Sequence, residues 1–147
     1  MFGFKKNKEK NDTVAKEKPL DSGQIEYMGG HKAYPTSGKT DIFFYDDRIE
    51  LGPSQEKTLI KIRYSNMIDI ENFDEKKFAA ERAIMLGVIG ALWKKKHIYM
   101  VIHYKDEVDK QKVILDFDHN VQYAQGLIYR KMLEARKKEK DDNTSND

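Results

Sequence analysis

From Gln24 to Phe117 the apolar side chains fall mostly at every second position, and beyond Val121 they change to helical spacing. Alternation of period two places successive side chains on opposite faces of a strand, whereas recurrence at three and four positions marks one face of a helix. Gln24 to Tyr34 reads as a first strand, with Gly29-Gly30 as a bulge or bend. Asp41 to Tyr45 (DIFFY) is aromatic and β-branched, and Asp46-Asp47 then makes a tight turn into Arg48 to Leu51. Gly52-Pro53-Ser54 is a turn signal. Thr58 to Tyr64 puts Ile60, Ile62 and Tyr64 on one face, and Met67 to Phe73 is expected to turn Ile68 and Ile70 inward, with Asp69 and Glu71 outward. Ile98, Met100, Ile102 and Tyr104 alternate with His97, Tyr99, Val101 and His103. Lys105 to Lys110 is a polar hairpin loop before Val113, Leu115 and Phe117. Val121, Ala124, Leu127, Ile128, Met132 and Ala135 then define one amphipathic helix, with Asp118 or Asn120 available as its N-cap.

One stretch breaks the alternation. Ala83 to Trp93 (AIMLGVIGALW) has no charge, although 35% of the chain is charged, and Lys94, Lys95 and Lys96 follow it directly. It falls short of the roughly 18 apolar residues that a membrane-spanning helix needs. Three readings fit it: a core segment bent at Gly87 and Gly90, a loop that dips into a membrane, or a docking patch for a protein partner or a second copy. Burying a side chain such as Leu92 or Trp93 contributes about 1.5–3 kcal/mol. Each lysine near an anionic surface adds roughly 1 kcal/mol.

A chain of 147 residues supports one domain with tails. Residues 1–22 are polar and lysine-rich and are expected as a disordered tail, residues 23–137 as the folded domain, and residues 138–147 as a charged, disordered tail. Phe2 and Phe4 beside Lys5 and Lys6 are too few for stable membrane anchoring. The N-terminus carries no apolar core of a secretory signal, and Phe2 excludes the myristoylation pattern. The net charge of +2 lacks the concentrated basic face of a nucleic-acid binder. The absence of cysteine excludes disulfides and thiolate metal sites and suits a reducing cytoplasm.

Motifs for chemistry are scarce. Ala33 to Thr40 (AYPTSGKT) loosely matches a phosphate-binding loop, but Pro35 removes an amide and a strand, rather than a helix, is expected after Thr40. His97 and His103 share a strand face but lie about 20 Å apart by strand rise, too far to share a metal. No nucleophile–base arrangement or carboxylate pair stands out among the four histidines and the dispersed acids. The chain is therefore expected to be non-enzymatic, with no cofactor and no evident small-molecule substrate.

Seven strands followed by one helix, with the segments GGHKAYPTSGKTDIFFYDDRIEL, KIRYSNMIDIENF and LGVIGALWKKKHIYMVIHYKD, resemble the small prokaryotic pleckstrin-homology-like proteins. The resemblance spans roughly Gln24 to Arg136 and departs from eukaryotic members in lacking a tryptophan in the terminal helix. It implies a mainly β fold: a barrel or sandwich of about seven antiparallel strands in two orthogonally packed sheets, capped by the C-terminal helix. It also implies a binding or scaffolding role at the cytoplasmic side, peripheral to the inner face of the membrane. The family places basic residues for phosphoinositides on its first two strands. Lys32 stands for the first of these and Lys39 for part of the second, while Asp41 occupies a position where a cation is expected. The expected contact residues are thus Leu92, Trp93, Lys94, Lys95 and Lys96, with Lys32 and Lys39 as a second set. The partner is expected to be an anionic membrane surface or a protein held at the same segment or in the groove beside the helix.

Overall fold

A computed structural model describes residues 17–74, 77 and 98–145. In chain order it contains β1 (Asp21–Tyr27), β2 (Gly38–Phe44), β3 (Arg48–Gly52), β4 (Ile60–Arg63), a 3-10 turn (Tyr64–Asn66), β5 (Met67–Phe73), β6 (Tyr99–Lys105), β7 (Lys110–Asp116), a second 3-10 turn (Asp118–Asn120) and the helix α1 (Val121–Ser145). The seven strands form one sheet in the order β4-β3-β2-β1-β7-β6-β5, and every pairing is antiparallel. Among the described residues the fold is mainly β, closed by a C-terminal helix, as the alternation predicts.

In place of the two expected sheets the strands form one, continuous through β1. This strand pairs along its whole length with β2 but meets β7 only at Glu26 and Tyr27. The ladder is extended by the Met28 N–H on the Ile114 carbonyl (2.8 Å) and the Ile114 N–H on the Gly29 carbonyl (2.9 Å). Gly29 and Gly30 then take φ of +105° and +112°, a region that side-chain-bearing residues rarely enter. A Cβ on Gly30 would stand 2.8 Å from the Lys112 carbonyl oxygen. The first strand therefore stops at Tyr27 instead of running to Tyr34, because the glycines turn the backbone out of the extended region.

The inner faces carry the predicted alternation. Ile25, Ile42, Phe44, Ile49, Leu51, Ile60 and Ile62 from one half join Met100, Ile102, Tyr104, Val113 and Leu115 from the other, and Ala124, Leu127, Ile128 and Met132 of α1 close the cluster. Each of these larger side chains contributes about 1.5–3 kcal/mol by leaving water. The helix packs over the Tyr64–Asn66 turn, which links the two end strands of the sheet. Polar clamps hold it: the Tyr123 hydroxyl donates to Asp21 (2.7 Å), Lys131 to Asp46 (2.7 Å) and Arg136 to the Ile68 carbonyl (3.0 Å).

Two expectations about faces change. The register slips between Met67 and Asp69, and this bulge leaves Ile68 43% exposed instead of inward. Ile98 precedes β6 and is also exposed. Tyr99 and Val101 are buried all the same, in a second cluster with Met28, Phe73 and Ile114, so this half of the sheet is apolar on both faces. The helix also continues past Ala135 to Ser145, into the stretch expected as a tail. Lysine and glutamate in that stretch are good helix formers and extend a helix once tertiary packing has nucleated it.

Candidate functional site

The β1–β2 loop meets the β6–β7 turn at one end of the sheet. There the Tyr27 hydroxyl donates to the Tyr34 carbonyl (2.5 Å) and accepts the His31 N–H (3.0 Å). The Ala33 N–H donates to His31 Nδ1 (3.0 Å). Asp106 accepts the backbone N–H groups of Val108 (2.9 Å) and Asp109 (2.8 Å), which fixes the facing turn. Lys32 bridges the two loops, with its ammonium on the Asp109 carboxylate and its N–H on Gln111 (3.2 Å).

This geometry does not build a phosphate cradle. Lys32 is committed to Asp109 and holds that carboxyl below its usual range. Lys39 lies in β2 opposite Glu26, and Asp41 follows two positions later on the same face. Carboxylates beside each lysine would oppose a phosphate. The residues after Thr40 continue in β2, so the phosphate-loop pattern meets no helix N-terminus.

The aromatic groups at this end are held neutral. Burial pushes the His31 imidazole below its ordinary value, with Asp106 partly opposing. Burial pushes the Tyr104 phenol well up, aided by Asp106 and Tyr27. The Tyr104 hydroxyl is buried without a hydrogen-bond partner among the described residues.

Two other polar groupings are internally satisfied. On β3, Arg48 donates to Glu50 (2.6 Å), Asp47 (2.6 Å) and Glu17 (2.8 Å) and stacks 4.2 Å from the Tyr45 ring centroid. Thr58 donates to the other oxygen of Glu50 (2.7 Å), so this carboxylate, 6% exposed, is bonded on both sides. On β5 and β6, His103 Nε2 lies 2.7 Å from Glu71, and this bond, ahead of Lys77 at 3.7 Å, keeps the Glu71 carboxyl low. Among the described residues no three His, Asp or Glu side chains gather as a metal site.

The side where β5 meets α1 is different in kind. Ile68, Tyr129 and Leu133 are 43%, 53% and 47% exposed. Arg136 reaches from the helix to the Met67 (3.4 Å) and Ile68 (3.0 Å) carbonyls and ties this helix face to the start of β5. A cleft of about 420 Å³ opens beside that contact, lined by Ser65, Asn66, Met67, Ile68, Lys105, Asp106 and Glu107. Sequence reasoning followed only the buried stripe of the helix and so missed Tyr129 and Leu133. Their spacing of four places them together on a second stripe. Ile68 was hidden by the bulge.

The structure thus brings Lys32 to an acidic partner, leaves Lys39 on a separate strand, and exposes Ile68 on β5 and Tyr129 and Leu133 on α1, none of which was in either set. Leu92, Trp93, Lys94, Lys95 and Lys96 belong to the connection between β5 and β6 and lie outside the described residues, as does His97. Comparison with known protein families and with curated proteins finds no match to this chain.

Proposed function

We propose that this chain is a non-enzymatic binding module of the pleckstrin-homology-like kind, acting in the cytoplasm of a prokaryotic cell and holding a protein partner along the side where β5 meets α1. The observation that carries the reading is Ile68, exposed on the wall of a cleft of about 420 Å³, with Tyr129 and Leu133 exposed on the helix that Arg136 ties to the same start of β5. Grouped apolar side chains next to a concavity are the usual physical basis of a docking surface. The seven-stranded antiparallel sheet with its C-terminal helix supports the family part of the reading.

The test is site-specific photo-crosslinking in cells. A photoreactive side chain at position 133 should give a discrete adduct, and the same group at Lys61, on β4, should not. Absence of an adduct at 133, or an equal yield from both positions, would sink the proposal.

Reversible contact with an anionic membrane is a second mode, and it rests on the apolar-to-basic run through Leu92, Trp93, Lys94, Lys95 and Lys96. Among the described residues no helix is long and apolar enough to cross a membrane. Salt-sensitive sedimentation with phosphatidylserine vesicles that is lost in Trp93→Ala/Lys94→Glu/Lys95→Glu supports this mode. Retention unchanged by those substitutions excludes it.

A further inference from the structure

The sheet carries a second apolar cluster on the face turned away from α1. Met100, Ile102, Val113 and Leu115 point into the core that the helix closes, so their neighbours Tyr99, Val101 and Ile114 point the opposite way. With Met28 and Phe73 these residues are only 0–7% exposed. The outer face of an antiparallel sheet is ordinarily solvated, so burial this complete requires a cover. The cluster is buried within a single chain, and the cover therefore belongs to that chain.

The described elements do not supply it. The helix packs on the other face and on the Tyr64–Asn66 turn. Residues 17–20 run beside β2 and β3, where Glu17 holds Arg48 and the Leu20 N–H meets the Phe44 carbonyl. Outside the described residues the sequence has one long apolar run, Ala83 to Trp93, whereas residues 1–16 are lysine-rich and residues 146–147 are Asn and Asp.

That run is tethered to the cluster at both ends. It lies between Phe73, the last residue of β5, and Tyr99, the first of β6, and these two are paired. The chain also leaves β5 in the required direction. Asp74 accepts the Lys77 N–H (2.8 Å), the bond of an N-cap, and Lys77 is helical. The Lys77 ammonium stands 4.8 Å from the centroid of the Phe73 ring and 3.7 Å from Glu71, the residue paired with Val101. The connection thus starts by turning back over the cluster. Further along the sequence Ala80, Ile84, Val88 and Leu92 recur every four positions, the apolar stripe with which a helix lies on a sheet.

We propose that Ala83 to Trp93 seats on the cluster of Met28, Phe73, Tyr99, Val101 and Ile114 and closes a second core, with Trp93 sheltered in it. Seated there, Leu92 and Trp93 cannot enter a bilayer at the same time. The inference is independent of the docking surface where β5 meets α1.

The experiment uses the one tryptophan of the full chain, without lipid, over a range of protein concentrations. Trp93 emission should be blue-shifted from that of the urea-unfolded chain. Acrylamide should quench it severalfold less, equally at every concentration. Val101→Ser should raise the quenching toward the unfolded value. Because that variant also disturbs the sheet, a second measurement is made on the segment itself. Ile84→Ser/Val88→Ser should lower the urea midpoint, since two buried side chains lose their apolar contacts. Val108→Ser, at a residue 89% exposed, should leave it unchanged.

An indole quenched alike in the folded and unfolded chain would overturn the assignment, as would a urea midpoint indifferent to Ile84→Ser/Val88→Ser. Protection that appears only as concentration rises would give the cluster to a second copy. Protection that needs phosphatidylserine vesicles would give the segment to the membrane, and either result rejects the seat. None of these outcomes bears on a crosslink at position 133, so the docking surface stands or falls separately.

Discussion

Lys32 and Asp109 are joined by an ion pair that ties the β1–β2 loop to the β6–β7 turn, although the two residues stand at opposite ends of the domain sequence. Both side chains are more than half exposed, so the pair positions loops more than it stabilises the fold. Lys32→Ala should raise the Asp109 carboxyl toward its ordinary value, followed by NMR titration, and leave the melting temperature unchanged. An Asp109 titration that does not move would show that the pair is not formed in solution.

Tyr104 and Tyr64 are both buried phenols but differ in their partners. The Tyr64 hydroxyl donates to the Tyr45 carbonyl (3.0 Å), whereas that of Tyr104 has no partner among the described residues. Tyr64→Phe should cost about 1 kcal/mol in urea denaturation, and Tyr104→Phe should be neutral or stabilising by about the same amount. Equal losses for both would mean that the Tyr104 hydroxyl is satisfied.

His31 gives a pH dependence of definite sign. Its folded value is lowered, first by burial, and its Nδ1 accepts the Ala33 N–H, which only the neutral ring can do. Below the unfolded value of about 6.5 the unfolded chain holds a proton that the folded chain lacks, so stability falls as pH falls. Urea midpoints should drop from about pH 7 to about pH 5, and His31→Asn should flatten that drop. An unchanged slope in the variant would assign the dependence to other groups.

Gly30 sits at φ +112° with the Lys112 carbonyl where a Cβ would go. Gly30→Ala should therefore destabilise by about 1–3 kcal/mol, measured by thermal or urea unfolding. Gly38, which has open space around it, should tolerate alanine far better.

Most of the fold was legible because alternation and helical spacing report which faces are buried. Ile60 and Ile62, Met100 and Ile102, and Ile128 and Met132 all fall where those periods put them. What escaped depended on geometry that periodicity does not encode. A single-residue bulge turned Ile68 outward, and two glycines ended β1 seven residues before Tyr34. The candidate site was less legible. Lys32 was identified as a cation, but its pairing with Asp109 joins residues distant in sequence. Tyr129 and Leu133 were overlooked because an exposed stripe on a helix resembles ordinary surface until its neighbours are known.

The split allegiance of β1, to β2 along its length and to β7 at its last two residues, also sets the order of assembly. The β2–β3 and β3–β4 hairpins join neighbours and close quickly. The Glu26–Asp116 and Tyr27–Leu115 pairings must wait until nearly the whole domain has emerged from the ribosome. Until then β1 keeps an open edge beside the nascent hairpins, and that edge is the point at which this chain is most vulnerable to pairing with the wrong strand.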